Sequence, residues 1–130
     1  MSRSALLLLE RWRDADDLRW SARQWALRVN VPLRSVQVRE MRTKWASVSA
    51  GGRLTLNSEL LERPRSEGEY AIVHELVHLL CPAARHGRLF KSYLNAFLPD
   101  WEARHIALQG YRASYFGPPQ EKRVAIRRKG

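Results

Sequence analysis

The chain has 130 residues, 45% of them hydrophobic, and carries 23 Lys and Arg against 13 Asp and Glu for a formal net charge of +10. That length holds one compact domain with a core and is short for two, and a single cysteine excludes an intrachain disulfide and suits a reducing compartment. The apolar run at residues 5–9 is cut by Glu10, Arg11 and Arg13, too short for a signal-peptide core or a membrane span, so a cytoplasmic protein without a membrane segment is expected.

Residues 4–30 form the expected helical N-terminal part, interrupted near Asp14–Asp17. Leu6, Leu9 and Trp12, then Leu18, Ala22, Trp25, Ala26 and Val29, recur at three- and four-residue spacing, while Arg13, Arg19, Arg23 and Arg28 mark the solvated face. Asn30-Val31-Pro32 closes this region. A sheet is expected over 36–57. Val36 to Met41 alternates as a half-buried strand does, Lys44 to Ser49 continues it or forms a second strand, and Arg53-Leu54-Thr55-Leu56 pairs back across the Ala50-Gly51-Gly52 turn. Asn57 and Ser58 are placed to cap a short helix through Leu61. Ser66-x-x-Glu69 has the spacing of a capping box for a helix beginning near Glu67.

That helix contains His74-Glu75-Leu76-Val77-His78. At roughly 100° per residue, His78 falls about 40° and Glu75 about 100° from His74. Ile72, Val73, Leu76, Val77, Leu79 and Leu80 fill the rest of the surface. Both imidazoles can therefore reach one cation from a narrow polar stripe on an otherwise apolar helix, with a carboxylate beside them. A catalytic zinc takes three protein ligands and keeps a position open for water, and the adjacent glutamate has the reach of a general base. The competing reading, two core histidines at this spacing by chance, is disfavoured by the narrow polar stripe in an apolar setting and by the glutamate in place.

A third ligand must come from elsewhere. Pro82 ends the helix, and His86 opens the next helical pattern, where a reversing chain returns it beside His74 and His78. His86 is the choice on those grounds. His105 reads as a packing or surface histidine, Asp100 and Glu102 can ligate in principle, and Cys81 lies on the ligand face but a turn beyond His78. Helices are expected from the stripe Leu89, Phe90, Tyr93, Leu94, Phe97 and Leu98, and again after Asp100, so the zinc helix and those that follow occupy 67–112. Gly117-Pro118-Pro119 breaks the pattern before a basic tail, 117–130, leaving 1–116 as one domain. The positive balance favours acidic partners, nucleic acid among them, against the plainer alternative of an arginine-rich solvated surface.

These pieces together resemble the YgjP-like family of small zinc metallopeptidases, relatives of the SprT-like and Wss1-like proteases. The resemblance is carried by Val38-Arg39-x-Met41-Arg42-Thr43-Lys44-Trp45-Ala46-Ser47, Leu54-Thr55-Leu56-Asn57-x-x-Leu60, Tyr70 through Leu79, His86-Gly87-x-Leu89-Phe90 and Leu98-Pro99-x-Trp101. Val48 stands where the family commonly has cysteine, and the approach to His86 is two residues longer than the family's usual Pro-Asn-His. The resemblance implies an α+β, minimal zincin-like fold: a small antiparallel β-sheet packed with an N-terminal helix, a central zinc-binding helix and C-terminal helices. It implies Zn2+ on His74, His78 and His86, Glu75 as general base, and hydrolysis of a peptide or protein substrate laid along the strand bordering the cleft. Two alternatives remain: an SprT-like protease acting on DNA-bound proteins through the basic surface, and a non-catalytic zinc-binding interaction module.

Overall fold

The computed structural model describes residues 10–82 and 86–115, the side chains of 112–115 excepted. The helical turns expected over 4–9, the turn at 83–85 and the basic tail lie outside the described residues.

The N-terminal helical pattern settles into α1, Ala15–Val29. Asp14 stops it from starting earlier, because its carboxylate accepts the Asp17 N–H at 2.9 Å and so supplies the cap where an interruption was expected. Residues 10–14 are not helical: Arg11 makes an isolated bridge with Pro64 and Trp12 turns inward. At the other end Asn30 adopts the left-handed conformation, φ 65°, that closes the helix.

Three strands follow, β1 (Ser35–Arg39), β2 (Ala46–Val48) and β3 (Arg53–Asn57), in the spatial order β1-β3-β2. The β2–β3 hairpin is antiparallel as expected. Gly52 makes its turn possible: with φ 87°, its N–H donates to the Ser49 carbonyl at 2.9 Å, and a Cβ there would meet the Pro32 carbonyl oxygen at 3.0 Å. The expectation of an antiparallel sheet fails for the other pair, since β1 runs parallel to β3. The sheet is mixed because β3 inserts between β1 and β2. The connection that creates this gap, residues 40–45, is held by Asn57. Its amide donates to the carbonyls of Met41 (3.0 Å) and Lys44 (2.8 Å), and its oxygen accepts from Glu59 N–H (3.0 Å) and, at 3.4 Å, from Met41 N–H.

The register aligns Val36 with Leu54, Val38 with Leu56, and Val48 and Ala46 with the same two leucines, giving one apolar layer. A 3₁₀ turn, Ser58–Glu62, capped by Asn57, leads into α2, Arg65–Leu80. The expected capping box does not form. The helix begins two residues early behind Pro64, with no side-chain cap; Arg63 pairs with Glu67 at 2.8 Å, and Glu69 is drawn to Arg104. Ile72, Val73, Leu76 and Val77 of α2 are fully buried among α1, the sheet and the later helices. Near its start the Trp12 indole lies so close to Gly68 that a Cβ there would stand 2.6 Å from Nε1.

The last two helices, α3 (Arg88–Phe97) and α4 (Trp101–Tyr115), close over α2. Phe90, Leu94 and Leu98 of the expected stripe are buried, whereas Leu89 is exposed. Arg104 fixes α4 in place through the Ser66 carbonyl (3.0 Å), Glu69 (3.3 Å) and Asp100 (2.9 Å). Asp100 thus spends its carboxylate on Arg104. Among the described residues no helix is long and apolar enough to cross a membrane.

Candidate metal centre

His74 and His78 project from one face of α2, and His86 comes from the segment that enters α3. One ring nitrogen from each lies within 4.8 Å of the others, and Nε2 of His78 is 2.9 Å from Nε2 of His86. Phe90 contacts all three rings, with centroid separations of 5.2, 4.6 and 4.8 Å to His74, His78 and His86. The first turn of α3 therefore provides an apolar floor that limits how the imidazoles can turn.

The electrostatics suit a cation and no proton. Burial drives the His74 pKa down to about 3, helped by repulsion from His78, His86 and His105, and burial followed by His86 lowers that of His78. These rings are neutral at ordinary pH, with lone pairs free to coordinate. Three imidazoles meeting at one point, partly open to solvent through His86, match what a borderline-soft divalent ion such as zinc takes in a catalytic site. The donor set fits the group that the sequence implies.

Glu75 stands on the sheet side of the same helix. It lines a groove of about 600 Å³ with Lys44, Ala46, Ser47, Val48, His74 and His78. Burial pushes its carboxyl up to about 7, against the pull of Lys44 and a hydrogen bond from the Val48 backbone N–H. A carboxyl near 7 can both take and return a proton at neutral pH. The groove's far wall is β2, whose outer edge has no strand partner among the described residues.

The other residues considered for ligation lie apart from the cluster. The Cys81 thiol, its pKa raised by burial, donates to the Val77 carbonyl at 3.2 Å. Asp100 is paired with Arg104, and Glu102 is exposed on α4. His105 is half-buried and joined to the centre indirectly, through the Tyr70 hydroxyl. Two participants escaped the sequence reading. Tyr70, four residues before His74 and so on its face of the helix, had a signal in that spacing; Lys44, beside Glu75, had none, because only the fold of the 40–45 connection brings it there.

The model of the YgjP-like, metallopeptidase domain family matches residues 3–111 of the chain. Among solved structures, the metallopeptidase zymogen of Methanocaldococcus jannaschii jannalysin is 23% identical, with 73% of this chain and 94% of that one covered at a TM-score of 0.62. The metallopeptidase zymogen of Pyrococcus abyssi abylysin is 19% identical, with 72% and 93% covered at a TM-score of 0.64. At these identities the likeness is one of fold. No curated protein matches the chain.

Proposed function

Because the chain belongs to the YgjP-like metallopeptidase family, we propose that it is a zinc-dependent peptidase in which His74, His78 and His86 hold the ion and Glu75 is the general base. When bound, the ion supplies Lewis acidity, polarising the scissile carbonyl and easing deprotonation of the attacking water. The chain's own residues do the rest. Glu75 takes the proton from water onto its carboxylate and returns it to the leaving amine, a cycle suited to a group poised near 7. The unpaired edge of β2 borders the groove and offers backbone groups to an extended substrate, which would add as a further strand. Lys44 and the Val48 N–H, both at Glu75, keep the base oriented toward the groove.

The observation that carries this reading is the convergence of three imidazoles, His74 and His78 held neutral by burial, beside a buried glutamate faced by the Lys44 ammonium. Glu75→Gln tests it, since glutamine keeps size and helix propensity but cannot accept the proton. Cleavage of an unstructured protein such as casein should fall by about 10²–10⁴-fold, the usual share of acid–base catalysis, with zinc content and melting temperature unchanged. Undiminished cleavage by the zinc-loaded variant would remove Glu75 from the mechanism. The net charge of +10 supports a second reading, in which the peptidase works on substrates held at nucleic acid. Binding to DNA that is absent at low salt would dismiss it. A reducing, cytoplasmic setting accords with the single cysteine.

A further inference from the structure

Two side chains outside the ligand set and the general base converge on His74 from different elements. The Tyr70 hydroxyl is 3.2 Å from His74 Nδ1 and 2.8 Å from His105 Nδ1. The tyrosine ring is buried and meets both imidazoles edge-on, at centroid distances of 5.6 and 5.5 Å. Tyr70 and His74 share α2, whereas His105 belongs to α4, next in sequence to the arginine that docks α4 on the start of α2 through Ser66 and Glu69.

We propose that Tyr70 and His105 are positioning residues for His74, forming a directed hydrogen-bond chain, His74 Nδ1–H to Tyr70 Oη–H to His105 Nδ1, that fixes the tautomer and ring angle in which His74 presents Nε2 to the ion. The direction follows from donor and acceptor counts. Nδ1 of His74 already faces the hydroxyl, which leaves Nε2 for coordination and requires the ring proton on Nδ1. The hydroxyl accepts that proton's hydrogen bond and has one hydrogen of its own. It donates this hydrogen to the nearer acceptor, His105 Nδ1, so His105 carries its proton on Nε2. Each group then has one partner of the right kind; the reverse chain, from His105 Nδ1–H through the hydroxyl to His74 Nδ1, would put the His74 proton on Nε2 and is excluded only because Nε2 is given to the ion.

The consequence is mechanical as well as electronic. His78 and His86 meet each other directly, but His74 is steadied by a helix that arrives about thirty residues later in the chain. The docking of α4 is thereby passed on to the metal centre. This inference rests on the metallopeptidase reading of the site.

The test measures zinc affinity of the full chain by chelator competition, with the cobalt(II) absorption spectrum as a second readout. The set is wild type, Tyr70→Phe, His105→Asn, His105→Leu and the double variant Tyr70→Phe/His105→Leu. Phenylalanine keeps the buried ring and removes only the hydroxyl; asparagine keeps an acceptor where His105 Nδ1 stands; leucine does not. Tyr70→Phe should weaken zinc binding about 10–100-fold, the usual effect of losing such a partner, and alter the cobalt spectrum. His105→Leu should weaken binding less, His105→Asn should restore most of that loss, and the double variant should match Tyr70→Phe within about twofold, because His105 acts only through the hydroxyl. Wild-type affinity in Tyr70→Phe would overturn the proposal. So would losses that multiply in the double variant, or His105→Asn as weak as His105→Leu. A wild-type protein that binds neither ion would instead bring down the metal-site reading itself, a result distinct from any of these.

Discussion

Around the first turn of α2, charged groups meet their opposites. Arg63 grips Glu67 with two hydrogen bonds, and Arg65 reaches the buried Asp17 of α1 at 2.6 Å while its guanidinium lies over the Trp12 ring. Two turns further along the same helix, like faces like: three imidazoles crowd one point, with two Nε2 atoms 2.9 Å apart and no carboxylate among them. The first arrangement is complete as it stands, since each buried charge has a counter-charge and its hydrogen bonds. The second leaves lone pairs convergent and a glutamate with its pKa raised. One helix thus carries a self-sufficient joint at its start and a site that needs a cation further on, and polar burial alone does not distinguish them. The distinction lies in whether the charged and titratable groups find their opposites.

The largest effect should come from removing what the incomplete end needs. If the imidazoles bind zinc at a free concentration about 1,000 times Kd, the ion stabilises the fold by roughly 4 kcal/mol. Chelation should then lower the melting temperature by roughly 10–20 °C for a domain of this size. His86→Ala should melt where the chelated wild type does and gain nothing from added zinc. A melting temperature indifferent to chelator would put the imidazole cluster in the same class as the paired end.

A smaller effect belongs to the self-sufficient joint. Gly68 lets Trp12 close against α2, and a methyl group there would stand 2.6–2.9 Å from three atoms of the indole, itself held under Arg65. Gly68→Ala should cost about 1–3 kcal/mol by overpacking, read as a lower denaturation midpoint. Zinc affinity of the folded variant should stay at the wild-type value. A parallel loss of zinc affinity would mean that the two ends of α2 are not separate.

Much of the candidate site was legible because it is local. His74, Glu75 and His78 are set by helix geometry alone, and His86 needed only a helix stop at Pro82 and a reversal. The strand pattern was legible for the same reason, but its direction was not. Alternation reports which face of a strand is buried and is silent on which neighbour it pairs with, so the parallel β1–β3 pair was out of reach. Ser66 and Glu69 have the spacing of a capping box, yet Glu69 is worth more to Arg104, thirty-five residues away, than to its own helix end. Lys44 and His105 come to the centre through the Asn57-held connection and the docking of α4, which no window of the chain contains.

The finest test of the contrast is its pH dependence, where the two ends should part company. Burial alone would raise the pKa of Asp17, but the Arg13 backbone N–H and the Arg65 guanidinium outweigh it, and the net shift is downward. A carboxyl whose folded pKa lies below its unfolded value, about 3.9, binds fewer protons in the native state. Its contribution is complete above that unfolded value and disappears as pH falls through the folded one. Asp17→Asn removes the charge but keeps the shape, so at neutral pH it should cost about 1.5–3 kcal/mol, the range for a hydrogen bond to a charged group. That deficit should shrink on acidification until variant and wild type converge at a pH below the depressed folded pKa. The imidazole cluster behaves otherwise: below about 6.5 the histidines of the unfolded chain take up protons that buried His74 resists, so the cluster's stabilisation begins to decline at higher pH, before Asp17 titrates. Denaturation of chelated protein from pH 7 to pH 2 isolates the carboxylate. Curves for wild type and Asp17→Asn that stay parallel throughout would show that Asp17 holds no depressed pKa, and that the paired end of α2 owes its stability to packing on Trp12 instead of charge.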